Sequence, residues 1–153
     1  MEIPVTPTYF QLHEATLKFG LALGEFVIEG NTRVVGIARG GLFMANILSH
    51  QLNLPVSVVN YSSKTGRGEY QQHSNELPFF IEKNLIIVDD ICDSGNTMHE
   101  VYEVYGVYRP KHSIYTMVYY AKEGSVFTPD VSWYKIPYDF DWVIFPWEDT
   151  LVV

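Results

Sequence analysis

From Ile86 to Thr97 the chain reads Ile-Ile-Val-Asp-Asp-Ile-Cys-Asp-Ser-Gly-Asn-Thr, three carboxylates within five positions behind an apolar run. The uninterrupted stretch Leu85 to Val88 suits a central parallel strand covered on both faces. Such a strand delivers Asp89 and Asp90 to the end of a sheet, where adjacent carboxylates can hold sugar hydroxyls or a hard cation. The turn Asp93-Ser94-Gly95-Asn96-Thr97 then leads into a helix. Backbone N–H groups, the Ser94 and Thr97 hydroxyls and the positive helix terminus can converge there on a phosphate, and Gly95 permits close backbone approach. A capping aspartate on an ordinary helix is the plain alternative for an isolated turn of this kind. A buried strand feeding three aspartates argues for chemistry instead.

A scaffold must hold these groups, and the chain supplies one by alternating strand-like and helix-like segments. Apolar spacing predicts a helix from Tyr9 to about Ile28, with Thr8 as N-cap and Gly20 and Gly24 lowering its regularity. A β-branched strand, Arg33 to Ala38, is broken by Arg39-Gly40-Gly41 before a helix from Leu42 to Leu52. Val56 to Tyr61 reads as a second strand, and Ser62 to Pro78 as a long polar loop. After the acidic motif come a helix at Met98 to Val107, a strand at Ser113 to Tyr120 and a turn at Lys122-Glu123-Gly124. A short strand near Trp133 to Ile136 and an aromatic-rich tail complete the chain. The expectation is an α/β fold, an open, mainly parallel twisted sheet flanked by helices. Loops at 38–41, 62–78, 89–97 and 121–124 should then face one crevice beyond the carboxyl ends of the strands.

Composition narrows the partners. With 153 residues, 47% of them hydrophobic and 18% charged, the chain suits one domain, 1–153, with its own core. Eighteen acidic against ten basic residues, a formal charge of −8, argue against nucleic acid and anionic membranes as partners. No apolar run is long enough to cross a bilayer, the N-terminus has no signal-peptide pattern, and Cys92 is a lone cysteine, so the expectation is cytoplasmic. The five histidines lack metal-ligand spacing, and no GxxxxGK[ST] phosphate loop occurs. Cys92 lies beside acidic groups that disfavour a thiolate, so it reads as a packing residue.

The segment 86–97 resembles the phosphoribosyl pyrophosphate (PRPP) signature of type I phosphoribosyltransferases: an apolar strand, two acidic residues, two variable ones, Asp, Ser or Thr, Gly, a variable residue and Thr. Ala38-Arg39-Gly40-Gly41 is similar to that family's pyrophosphate loop, and Tyr120-Ala121-Lys122 to the strand-end lysine of its purine branch. Asp141-Trp142-Val143 followed by Phe145-Pro146-Trp147-Glu148 resembles the C-terminal hood of its short bacterial-type xanthine–guanine (hypoxanthine) members. The resemblance spans nearly the whole chain.

The resemblance implies transfer of a 5-phosphoribosyl group from PRPP to a 6-oxopurine (guanine, xanthine or hypoxanthine), giving a nucleoside 5′-monophosphate and pyrophosphate in purine salvage. Asp89 and Asp90 would hold the ribose hydroxyls, with Asp90 near a Mg²⁺ cofactor. Asp93, Ser94, Gly95, Asn96 and Thr97 would cradle the 5′-phosphate, the Asp93 carboxylate doubling as catalytic partner of the purine's imidazole nitrogen. Arg39 and Gly40 would take the pyrophosphate, at a peptide the family often holds cis. Lys122 would donate to the exocyclic oxygen, Trp142 would stack on the base and the Val143 backbone would read its edge. A mobile loop at about 62–78, with Ser63, Lys64 and Arg67, would close over the site, and a hood at about 130–153 would cover the base. The resemblance also implies a homodimer or homotetramer. Departures are Ser62-Ser63-Lys64 in place of a Ser-Tyr pair, and Asn96 where glycine is frequent. Two alternatives stand beside this reading: a phosphoribosyltransferase with a different acceptor base, and a non-catalytic sensor of PRPP or nucleotides.

Overall fold

In the computed structural model, residues 2–61 and 77–148 are described. Helix α1, Tyr9–Ala22, precedes strand β1, Thr32–Ala38; helix α2, Leu42–Leu52, and strand β2, Val56–Asn60, follow. Strands β3, Asn84–Val88, and β4, Ile91–Cys92, lead into helix α3, Asn96–Gly106. Strand β5, Ile114–Lys122, is entered through a 3₁₀ turn at Lys111–Ser113, and strand β6, Val131–Ile136, is the last element. The strands form one six-stranded parallel sheet, with β1 between β2 and β3, and β5 between β3 and β6.

Strand β3 shows why the sheet is buried on both sides. All five of its residues are inaccessible; Ile86 and Val88 face α1 and α2, while Leu85 and Ile87 face α3. That alternation is the period of two expected of a strand, applied to a segment with no polar face. On the first side Leu12, Phe19, Met44 and Leu48 pack over Met117 and Tyr119; on the second Met98, Val101 and Tyr105 pack over Val35 and Val118. The Tyr119 hydroxyl is within this core, 2.6 Å from Thr16 Oγ1, which in turn donates to the Leu12 carbonyl.

Several boundaries differ from the sequence reading, each for a local reason. Helix α1 stops at Ala22 instead of about Ile28, because Leu23 turns out of helical geometry and its N–H closes on the Gly20 carbonyl between the two glycines. Its start is as expected, with Thr8 as N-cap, and the structure adds Gln11 as the second half of a capping box. Strand β5 runs two residues beyond Tyr120, so Lys122 ends a strand and the turn falls on Gly124, φ +81°. Ile91 and Cys92, expected within the loop 89–97, form a short strand in the register that β3 keeps against β5. The acidic pair Asp89-Asp90 therefore interrupts one continuous line of pairing: the Asp89 N–H donates to the Met117 carbonyl and the Asp90 carbonyl accepts from Tyr119 and Tyr120.

Candidate active site

The chain passes from β1 to β2 on one side and starts again at β3 on the other side of β1, so the loops after β1 and β3 diverge at the centre of the sheet. Helix α2 covers one face and α3 the opposite one, which opens a crevice beyond the strand ends at the point where open α/β sheets bind ligands. A cavity of about 1000 Å³ lies there, bounded by Arg39 and Gly40 from the first loop and Asp89, Asp90 and Thr97 from the second. Residues 50 positions apart in the chain are thus delivered to one space by the ends of two adjacent strands.

Contact between the two loops is close. A Cβ built on Gly40 would run into the Asp90 carboxylate, so only glycine lets the first loop lie against the second. The Ala38–Arg39 peptide is cis. Asp89 accepts a hydrogen bond from the Asp90 N–H at 2.9 Å, and Asp90 from the Ile91 N–H at 2.7 Å, which orients both carboxylates. Burial, reinforced by the charge of Asp90, pushes the Asp89 carboxyl well above its ordinary value. Burial likewise raises Asp90 to about 6, with the Glu148 carboxylate adding to the effect. The crevice thus brings two buried carboxyl groups together beside Arg39, an environment that favours a cation or hydroxyl donors.

Beyond Asp90 the turn that opens α3 is set by Gly95, whose φ of +87° is a conformation L side chains rarely adopt. The Asn96 N–H donates to Ser94 Oγ at 3.3 Å and the His99 N–H to the Gly95 carbonyl at 2.9 Å. At the end of β5, Lys122 Nζ lies 3.0 Å from Asp93 Oδ1, both side chains partly exposed. This ion pair joins the catalytic-carboxylate candidate to the base-contact candidate, an adjacency the 29-residue separation in sequence did not display. Cys92 is buried, its thiol held above the usual range chiefly by that burial, which agrees with a packing role.

The remaining candidates are placed unevenly. Trp142 is 73% exposed, whereas the adjacent Val143 is buried at 5%. Ser63, Lys64 and Arg67 lie outside the described residues, as does most of the loop expected at 62–78. The cavity wall also contains residues the sequence reading did not select: Tyr9, Phe43, Trp147 and Tyr61. Tyr9 and Phe43 begin α1 and α2, and their rings pack 5.4 Å apart, with Trp147 5.6 Å from Phe43 and stacked on Phe145 at 4.9 Å. Position offered a signal for Phe43 alone, which follows directly on the glycine loop. Tyr61 donates to Glu100 of α3 at 2.8 Å, tying the end of β2 to the helix behind the phosphate-type turn.

The chain has relatives along most of its length. The phosphoribosyl transferase domain family matches residues 25–151. The chain is 30% identical over 142 residues to the xanthine-guanine phosphoribosyltransferase of Idiomarina loihiensis, covering 90% of this chain and 83% of that one. It is also 30% identical over 142 residues to the hypoxanthine phosphoribosyltransferase of Haemophilus influenzae, covering 84% and 78%. Among solved structures, a purine phosphoribosyltransferase from Pyrococcus horikoshii superimposes with a TM-score of 0.75 at 26% identity, over 97% of this chain and 96% of that one. The chain accordingly belongs to the phosphoribosyltransferase family of enzymes, among relatives of the purine class.

Proposed function

We propose that this enzyme transfers the 5-phosphoribosyl group of PRPP to a 6-oxopurine, guanine, xanthine or hypoxanthine, releasing pyrophosphate and a nucleoside 5′-monophosphate, a purine-salvage reaction. The observation that carries the reading is the junction of two loops at one carboxylate pair: Arg39-Gly40 seated on Asp90, and the 93–97 turn leaving from the same strand end. PRPP has the matching layout, with a 5′-phosphate, ribose hydroxyls and a pyrophosphate in series. The turn and the α3 N-terminus would take the 5′-phosphate, Asp89 and Asp90 the hydroxyls, and Arg39 with the Gly40 backbone the pyrophosphate.

The purine would enter beside Lys122 and Asp93. An exposed ion pair contributes only about 0.5 kcal/mol, so the two groups separate readily when a ligand offers each a partner. Lys122 then donates to the exocyclic oxygen and Asp93 accepts the proton of the imidazole ring as the ring nitrogen bonds to the anomeric carbon. The bond from that carbon to the pyrophosphate oxygen breaks, and its electrons leave with the pyrophosphate. Trp142, exposed beside buried Val143, would stack on the base while the Val143 backbone reads its edge. The chain supplies alignment and fixed charge in this reaction, and none of its side chains is required as a covalent nucleophile.

The donor set fits Mg²⁺. Asp89 and Asp90 are hard oxygen donors raised in pKa chiefly by burial, and Mg²⁺ is commonly held by one or two carboxylates together with substrate phosphates. Bound there with PRPP, the ion would neutralise charge developing on the leaving pyrophosphate. We read the chain as one domain, with a closing loop at about 62–78 and a hood at about 130–153. A homodimer or homotetramer belongs to the same reading, supported by the exposed side chains of Phe79, Ile81, Val107 and Tyr108. So does a cytoplasmic location, supported by the absence, among the described residues, of a helix long and apolar enough to cross a membrane.

The test is a base panel. Purified enzyme, PRPP and Mg²⁺ are incubated with guanine, xanthine, hypoxanthine, adenine, uracil or orotate, with release of pyrophosphate measured and EDTA as control. Product with one or more 6-oxopurines, abolished by EDTA, is expected; consumption of PRPP only with a non-purine, or with no base at all, refutes the reading.

A further inference from the structure

We propose that Ser125, in the loop between β5 and β6 and outside every motif of the chain, is a positioning residue that holds the phosphate turn 93–97 in its binding geometry. The inference rests on the reading that this turn takes the 5′-phosphate of PRPP. The Ser125 hydroxyl donates to the Phe127 carbonyl at 2.9 Å and accepts from the Phe127 N–H at 3.2 Å. Cys92 Sγ lies 3.2 Å from the same oxygen. The Cys92 thiol also donates to the Phe127 carbonyl at 3.5 Å, so the thiol, the Ser125 hydroxyl and Phe127 form one cluster of hydrogen bonds.

These bonds shape residues 125–127 into a platform for the phosphate turn. The Val126 N–H donates to the Ser94 carbonyl at 2.9 Å, and the Ser125 N–H to the Lys122 carbonyl at 3.3 Å. A Cβ on Gly95 would run into the Ser125 hydroxyl and the N–H groups of Val126 and Phe127, so the turn rests on the platform with no slack. One face of the turn is thereby held by the 125–127 backbone while the other is left for an anion. Fixing a loop before the ligand arrives removes the entropy of ordering it, on the order of 1 kcal/mol per residue, from the binding step. Ser125 also follows Lys122 by three positions, so one short loop sets both the phosphate turn and the lysine that pairs with Asp93.

Two probes separate positioning from general support of the fold. Ribose 5-phosphate presents a 5′-phosphate to the turn, whereas pyrophosphate with Mg²⁺ engages the Arg39-Gly40 loop. By calorimetry, Ser125→Ala is expected to weaken ribose 5-phosphate about tenfold, the loss of roughly 1.4 kcal/mol from two hydrogen bonds, and to leave pyrophosphate unchanged. The KM for PRPP should rise by a similar factor while kcat stays within about threefold, and Ser125→Thr, which restores a hydroxyl, should recover most of the loss. Cys92→Ala, which removes one partner of the same hydroxyl, should act in the same direction more weakly and stands in if Ser125→Ala does not fold. Unchanged ribose 5-phosphate binding in a folded Ser125→Ala protein overturns the proposal, as does equal weakening of both ligands with a lowered melting temperature. If Ser94→Ala weakens ribose 5-phosphate and Ser125→Ala does not, only this inference falls. Wild-type protein that binds no ribose 5-phosphate removes the parent reading and this one together.

Discussion

Replacing Lys122 by methionine keeps the apolar stem and removes the charge that lies 3.0 Å from Asp93. The stability effect follows from exposure. With the lysine side chain 28% and the aspartate side chain 45% accessible, the pair is solvent-screened, so its loss should cost no more than about 1 kcal/mol. In a chain of 153 residues that corresponds to a fall in melting temperature of about 2–4 °C. The catalytic effect is set by a different quantity. A charge-assisted hydrogen bond from Lys122 to the purine's exocyclic oxygen is worth roughly 1.5–3 kcal/mol, which predicts about a 10- to 150-fold lower kcat/KM for the base. The KM for PRPP should stay within about threefold, because the phosphate turn and the Arg39 loop are untouched. Steady-state kinetics with each substrate varied in turn, alongside calorimetric melting, measures both effects. In an Asp93→Asn background the stability cost of Lys122→Met should vanish while the cost to base recognition persists. A melting temperature lowered by about 10 °C would place Lys122 in the scaffold, and an unchanged kcat/KM would remove it from the base site. Either result refutes the reasoning.

Two other perturbations follow from the geometry. Gly40→Ala places a methyl group on the Asp90 carboxylate, so the first loop must retreat; pyrophosphate product inhibition should weaken at least about tenfold, with overpacking costing about 1–3 kcal/mol of stability. Glu82 accepts from Arg33 Nη2 at 2.7 Å and Nε at 3.0 Å, and this holds its carboxyl below the ordinary value. Because the folded state binds the proton less readily, the pair stabilises above the unfolded pKa, and that contribution is lost as pH falls through the folded one. Glu82→Gln should therefore lower the melting temperature by about 4–8 °C at pH 7, a loss of roughly 2 kcal/mol, with the gap to wild type closing below about pH 4. A gap that stays constant from pH 7 to about 3 would contradict the assignment.

The order of the elements was legible because each rests on local pattern. The apolar run at 85–88, the cap at Thr8 and the glycine loop at 40–41 carry their own periodicity or backbone constraint, and the sheet and crevice follow from their alternation. Boundaries at 22–28 and 120–122 were less legible. At the first, propensity was split between two glycines and an apolar tail; at the second, pairing of Ala121 with Cys92 and with Lys135 extends a strand beyond its apolar residues. Hydrogen bonding to a distant segment decides such ends, and it leaves no mark in a local window.

By itself the sequence determined the chemistry available to this protein: which carboxylates stand together, which turn can hold a phosphate, and which family the pattern resembles. These are properties of residues within about a dozen positions of one another, where chain geometry alone limits the outcome. Tertiary structure decided the rest. It set Gly40 against Asp90, paired Lys122 with Asp93, and seated Gly95 on the 125–127 loop. It also drew Tyr9, Phe43 and Trp147 from separate stretches of the chain into one cavity wall. Each of these depends on strands from separate stretches of chain ending at the same edge, and on buried neighbours that raise Asp90 to about 6 by excluding water. The whole chain carries a formal charge of −8; the meeting of Asp89, Asp90 and Glu148 with Arg39 at one crevice exists only once the sheet has formed.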